Sequence, residues 1–118
     1  QATGEAIPAA WGPDEAARVR VVEVYPAATL LSRGVSIRGY KKASEDGRHR
    51  RRMISESLEE RLGLSVEHHQ RCENTDHLLD AAVCVLAGDE FLDGRCVPPA
   101  DLEEAAVEGW IWFSGSAS

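Results

Sequence analysis

The chain has 118 residues, 43% of them apolar and 28% charged, so it can bury the core of one domain but not of two. Its formal net charge of −7 opposes bulk attraction to nucleic acid, and no apolar run reaches membrane-spanning length. Three cysteines without a CxxC pair favour a reducing, cytoplasmic setting over a disulfide framework. Because the first residue is Gln1, we expect a piece of a longer protein or a processed product.

The first half of the chain predicts one strand followed by two helices. Residues 1–17 are expected to form an irregular lead-in, and the β-branched run at 18–25 predicts a buried strand that Pro26 ends. A short helix is predicted over 26–34, with Pro26 in its first turn. After a loop, the apolar spacing predicts a longer helix over 48–62, which Gly63 ends.

The second half predicts one long helix and a short terminal strand. Residues 64–74 are expected to be a connection, and residues 75–87 a helix that Gly88 stops. A helical turn or two at 100–108 and a strand at 109–113 follow, with a disordered tail at 114–118. This alternation predicts an α/β fold whose central strand, residues 18–25, is flanked by helices.

One acidic residue interrupts the predicted strand. Glu23 lies among valines at 21, 22 and 24. Burying an unpaired carboxylate is costly, so Glu23 is expected either to face solvent or to have a partner. Because valines surround it, Glu23 is a candidate for a carboxylate that has a partner.

Two further carboxylates lie on the helix predicted at 75–87. Every residue from Leu78 to Ala87 except Asp80 is apolar, so Asp80 is expected to be buried, and Asp76 lies one turn earlier on the same face. Asp76 by itself is expected to favour the helix N-terminus, and Asp80 could pair with an arginine. Carboxylates from separate elements are, however, the ligands that magnesium prefers. Glu23 and Asp80 are therefore predicted to bind a divalent metal.

More than half of the basic residues lie between positions 38 and 52. A solvated helix face is the ordinary explanation. In the helix predicted from residue 48, however, basic residues come first and acidic residues later, which opposes the helix dipole. That arrangement suggests phosphate contact, and Tyr40 could stack on a base. The candidates for nucleic-acid binding are Lys41, Lys42, Arg48, Arg50, Arg51 and Arg52.

A group of histidines and one cysteine offers a competing kind of site. Its members are His68, His69, Cys72 and His77. Their spacing matches no standard structural zinc pattern, which makes zinc the lesser alternative. His69 or His77 could instead take part in proton transfer.

Three stretches together resemble one family. They are "EVYPAATL" at 23–30, "GYKK" followed by a basic helix at 39–52, and "DHLLDAAVCVLAG" at 76–88 with the later "EGWIWF" at 108–113. This order resembles the C-terminal part of the domain-of-unknown-function family 429, whose members are predicted ribonuclease-H-like nucleases. The third stretch is also similar to the last catalytic helix of Holliday-junction resolvases.

The resemblance implies a central mixed sheet and two-metal phosphodiester hydrolysis. It assigns catalytic roles to Glu23 and Asp80, adds Asp76 as a metal ligand, and implies Mg²⁺ or Mn²⁺ as the cofactor. The family's first-strand hairpin and its Asp have no counterpart here. We therefore expect residues 18–113 to be the C-terminal half of a ribonuclease-H-like fold that is inactive alone.

Other readings of the same stretches stay open. One alternative is a noncatalytic binding or assembly module of the same fold. A homo-oligomer, or a second chain that completes the sheet, is the expected assembly, and nucleic acid is the expected ligand. No membrane partner is expected.

Overall fold

A computed structural model describes residues 21–115, which form six helices. The helices are Pro26–Ser32 (α1), Glu45–Ser57 (α2), Glu59–Leu62 (α3), Val66–Asn74 (α4), Asp76–Leu92 (α5) and Leu102–Glu108 (α6). The predicted lead-in at 1–17, and residues 116–118 of the predicted tail, lie outside the described residues. No helix between residues 21 and 115 is long and apolar enough to cross a membrane.

Short polar side chains start most of these helices. Ser44, Ser65, Thr75 and Asp101 each accept a hydrogen bond from a backbone N–H in the first turn of the helix that follows. Such caps satisfy donors that have no partner within the helix. The α1 helix begins with Pro26, as predicted, where a missing N–H costs nothing.

The core is built around α5, which packs against α1, α2 and α4. Leu79, Val83 and Leu86 are fully buried along one face of α5. They meet Leu30, Tyr40, Ile54, Leu58 and Cys72 from the other elements. The helix predicted over 75–87 is therefore confirmed, and its apolar face is the centre of the molecule.

The predicted α/β fold with a central strand is wrong for the residues that the structure describes. Between residues 21 and 115 there is no sheet: the only extended pairings are isolated bridges, of which Glu23 with Ile111 is parallel and Cys96 with Ser114 antiparallel. The segment 21–25 does not lie in the core, since Val21 is 47% and Tyr25 55% exposed. Most of the buried apolar residues come instead from helix faces, so β-branched composition did not decide the structure at 21–25.

Several element boundaries also differ from the predictions. The α2 helix starts at Glu45 rather than at residue 48, because Ser44 caps it. The connection predicted at 64–74 contains α4, capped by Ser65. The α5 helix continues through Gly88 to Leu92. Glycine lowers helix stability by only about 1 kcal/mol, and packing of the turn beyond it outweighs that cost.

That extra turn of α5 holds the C-terminal segment. Phe91 packs edge-on against Trp112, with ring centroids 4.8 Å apart. The Ser114 hydroxyl lies 3.0 Å from that of Ser32 in α1. The segment at 110–115 is thereby fixed against α1 and α5, and its backbone also meets Glu23, whose carbonyl accepts a hydrogen bond from Trp112.

Candidate functional site

Two of the three predicted acidic ligands come together at the start of α5. Asp76 and Asp80 lie one helical turn apart, and both face the ammonium group of Lys41. Lys41 Nζ is 2.8 Å from Asp80 Oδ2 and 3.5 Å from Asp76 Oδ2. The side chains of Asp76 and Asp80 are 23% and 20% exposed, so the pair lies at the surface rather than in the core.

Tyr40 completes this cluster from the core side. Its hydroxyl donates a hydrogen bond to Asp80 Oδ1 over 2.9 Å, and its ring is 3% exposed. Burial, together with the hydrogen bond to Asp80, raises the pKa of Tyr40 to about 12. The hydrogen bond to Asp80 likewise raises the pKa of Lys41. At neutral pH the cluster therefore contains a neutral phenol and a firmly protonated amine.

Glu23 does not join the aspartates in a common cluster. Its side chain is exposed, and its carboxylate lies beside Gly109, where an added Cβ would be 3.0 Å from Oε2. Residues 21–115 contain no group of three or more acidic, histidine or cysteine side chains that could hold a metal ion. The described part of the chain thus offers the pair Asp76 and Asp80 as metal ligands, with Glu23 elsewhere on the surface.

The predicted nucleic-acid contacts are mostly occupied by carboxylates. Arg48 pairs with Glu73, Arg50 with Asp46 and Arg52 with Glu56, at distances of 2.9, 2.8 and 3.3 Å. Lys41 is held by the aspartates. Of the six candidates only Lys42 is exposed with no ion pair to another residue of 21–115.

The dipole argument for phosphate contact does not hold either. The α2 helix begins with Glu45 and Asp46 ahead of its arginines. Acidic residues in the first turn favour the helix, so the distribution of charge has a stabilising explanation.

Arg51 has a structural role that was not predicted from the sequence. It is 4% exposed and donates hydrogen bonds to backbone carbonyls. The spacing contained the signal, since Arg51 stands three and seven residues before the buried Ile54 and Leu58. Residues at that spacing share one face of a helix.

His69 links three helices rather than binding a metal with its neighbours. Its Nδ1 lies 3.0 Å from the Ser55 hydroxyl of α2, and its Nε2 contacts the Glu59 carboxylate of α3. Cys72 faces the core, where burial raises its thiol pKa. In the described residues these side chains do not assemble into the zinc group considered above.

Comparison with known proteins gives one match. The model of a family described as "Protein of unknown function (DUF429)" matches residues 5–104, which is most of the chain. No curated protein and no solved structure matches the chain. The matched range contains α1 to α5 and therefore every residue of the Tyr40, Lys41, Asp76 and Asp80 cluster.

Proposed function

The chain belongs to the DUF429 family, and we propose that it serves in divalent-metal-dependent cleavage of phosphodiester bonds. The observation that carries the proposal is the pair Asp76 and Asp80, which share one cation, the Lys41 ammonium. The proposal also draws on the resemblance of the "GYKK" and "DHLLD" stretches to predicted nucleases. These two stretches meet in the fold, since they supply Lys41 and the aspartates.

The aspartate pair suits a hard cation, both because its ligands are oxygens and because it supplies two carboxylates. Mg²⁺ binds oxygen ligands and commonly uses one or two carboxylates, with water filling the other positions. Asp76 and Asp80 supply two carboxylates from one helix face at the surface. A metal bound there would supply an acidified water and would stabilise the leaving oxygen of a phosphodiester.

The other residues of the cluster would act on a metal site in two ways: Tyr40 would orient a ligand, and Lys41 would compete with the metal. The Tyr40 hydroxyl fixes one oxygen of Asp80 and leaves the other, Oδ2, toward Lys41. Lys41 occupies the position that a divalent cation would take, so a metal must displace it or share the carboxylates with it. Lys42, next in the chain and exposed, is available for a phosphate.

Two carboxylates alone make a weak site. We infer that the isolated chain binds Mg²⁺ or Mn²⁺ weakly and cleaves nucleic acid little or not at all. A two-metal centre needs further acidic ligands, and Glu23 does not reach this cluster in the described structure.

Calorimetric titration with Mn²⁺ tests the metal site. Lys41→Met removes the competing ammonium and is expected to tighten Mn²⁺ binding by about tenfold, which corresponds to about 1.4 kcal/mol. Asp80→Asn is expected to abolish binding, whereas the control Asp46→Asn changes a carboxylate outside the cluster and leaves binding intact. Equal affinity of Lys41→Met and wild type, or binding that survives Asp80→Asn, would overturn the metal assignment.

A second measurement tests the substrate class. Mn²⁺ held at the site shortens the ³¹P relaxation time of a phosphodiester bound beside it, so dimethyl phosphate is a suitable probe. We expect relaxation enhancement with the Mn²⁺-loaded chain and none with Asp80→Asn. If Mn²⁺ binds and the phosphorus is not relaxed, the metal site stands and phosphodiester chemistry is wrong.

A noncatalytic binding or assembly module is the second candidate. The contacts of Lys41 with both aspartates favour it, because a cation of the chain itself then reduces their repulsion without a metal. In that case the ion pairs serve to fasten the loop before α2 to α5. Absence of Mn²⁺ binding in both wild type and Lys41→Met would select this candidate.

A further inference from the structure

The buried guanidinium of Arg51 joins the two segments that form the cluster. Its Nη1 donates to the carbonyl oxygens of Tyr40 and Lys42, at 2.9 and 2.7 Å. Its Nε donates to the carbonyl oxygen of Glu73 over 2.9 Å. Tyr40 and Lys42 flank Lys41, and Glu73 lies three residues before Asp76.

The same turn is pressed closely against α2. A Cβ on Gly47 would lie 2.0 Å from the carbonyl oxygen of Lys42, which no side chain could tolerate without moving the backbone. The Lys42 carbonyl is therefore held from two sides, by the hydrogen bond from Arg51 and by contact with Gly47. The backbone on either side of Lys41 has little freedom to shift.

The electrostatics of Arg51 indicate a positional role. Within residues 21–115 it has no carboxylate in ion-pair contact, and its charge is met by carbonyl dipoles instead. A buried charge without a counter-ion is costly, and an apolar residue of similar size would avoid that cost. The planar fork of arginine places donors on separate nitrogens in fixed directions and so joins carbonyls of two segments, whereas lysine carries all its donors on one nitrogen.

We propose that Arg51 is a positioning residue that holds Lys41 on the pair Asp76 and Asp80. It fixes the two peptide groups beside Lys41 and ties them to the end of α4, from which α5 starts one residue later. The inference rests on the proposed function only in treating the aspartate pair as a site. Loss of Arg51 releases Lys41 from the aspartates in a chain that is still folded.

The composition of the chain gives a direct readout. Lys41 and Lys42 are its only lysines, so one is an internal standard for the other. Acylation by an N-hydroxysuccinimide ester at pH 8 consumes free amine, and the two sites are resolved by mass spectrometry after digestion. In the wild type Lys42 is expected to react at least about tenfold faster, because the Lys41 ammonium must first leave Asp76 and Asp80, whereas Lys42 is exposed and has no ion pair within residues 21–115.

Substitution of Arg51 is expected to make the acylation rates of Lys41 and Lys42 similar. Arg51→Met lowers the ratio of Lys42 to Lys41 acylation toward one, as does Asp80→Asn, which removes the negative charge nearest to the Lys41 ammonium. Arg51→Lys is also expected to give a ratio below that of the wild type. It replaces Arg51→Met in the experiment if Arg51→Met fails to fold. Ile54→Ala, which opens a cavity on the same helix and leaves the turn intact, keeps the ratio high.

Each outcome bears on the inference. A ratio that stays near tenfold in a folded Arg51 variant overturns it, and so does a fall of equal size in Ile54→Ala, which would reflect general loosening. Metal is absent from the experiment, so failure of Mn²⁺ binding would defeat the proposed function and leave the role of Arg51 standing.

Discussion

Arg33 Nη1 donates a hydrogen bond to Glu90 Oε1 over 2.6 Å, and the Glu90 side chain is completely buried. The pair joins α1 to the last turn of α5. The second carboxylate oxygen, Oε2, has no hydrogen-bond partner between residues 21 and 115. Among the described residues, one arginine therefore compensates the charge of Glu90, and its own side chain is 27% exposed.

Removal of Arg33 should therefore destabilise the fold far more than removal of a surface arginine. Arg33→Met leaves a buried carboxylate uncompensated, and we expect a loss of about 3 kcal/mol in the free energy of unfolding, measured by urea denaturation. The matched control is Arg52→Met, whose partner Glu56 is exposed and whose loss costs less than about 1 kcal/mol.

A double substitution separates charge from packing. Arg33→Met with Glu90→Leu removes both charges and is expected to recover most of the stability lost in Arg33→Met. If the double variant is as unstable as the single one, the pair acts through shape or through the Ser32 and Ser114 contact nearby, and the electrostatic account is wrong.

Glu90 also shows how far the sequence could predict this fold. Leu79, Val83, Leu86 and Glu90 are spaced 4, 3 and 4 residues apart, so the helical period places Glu90 on the buried face. The prediction stopped the helix at Gly88, because a glycine is a common helix end. What carried the helix onward was contact with α1 and Trp112, which lie far away in the chain and leave no local signal.

The candidate site could likewise be predicted only in part, because some of its features are local in the sequence and others depend on distant contacts. The apolar surroundings of Asp80 and its relation to Asp76 are local features of one helix, and both residues do share a cation. That the cation is Lys41 depends on how the turn at 40–42 meets α5, which spacing alone cannot give. The valine run around Glu23 predicted a central strand, yet strand formation needs neighbouring strands to pair with.

The raised pKa of Tyr40 predicts a loss of stability in alkali. An exposed tyrosine loses its proton near pH 10, whereas Tyr40 keeps it until about pH 12. Between these values the native state binds more protons than the unfolded state, so the free energy of unfolding falls as pH rises. None of this stability is lost below pH 10, and the loss that is complete above about pH 12 amounts to about 2 to 3 kcal/mol.

Urea denaturation at pH 8, 10 and 11 measures this dependence. Tyr40→Phe is expected to be about 1 kcal/mol less stable at pH 8, for want of the hydrogen bond to Asp80, and to lose less stability between pH 10 and 11. Lys41 contributes a remaining slope of the same sign, since its pKa is also raised. Tyr25→Phe changes an exposed ring and should keep the full wild-type slope. An unchanged slope in Tyr40→Phe would show that the phenol is not the group responsible.

The ion pairs of the basic segment limit how strongly it can bind nucleic acid. Each arginine already paired with a carboxylate must give up that partner to meet a phosphate, and Arg51 is not accessible. Lys42 is the candidate left free among the described residues. With about one to two phosphates neutralised, the slope of log K against log salt for a single strand is expected to be only about −0.7 to −1.4.

Fluorescence anisotropy with a labelled 20-nucleotide strand, at several salt concentrations, measures this slope. Lys42→Glu is expected to abolish the weak binding at low salt, because Lys42 is the one exposed residue among the six candidates that has no carboxylate partner within residues 21–115. Arg71→Glu is the control, since it makes the same change of charge on an exposed arginine of α4, outside residues 38–52. A slope of about −2.5 or steeper would mean that Arg48, Arg50 and Arg52 exchange their carboxylates for phosphates, and the ion pairs would then be the resting state of a true binding surface. If Arg71→Glu weakens binding as much as Lys42→Glu, only net charge matters and the segment has no special role.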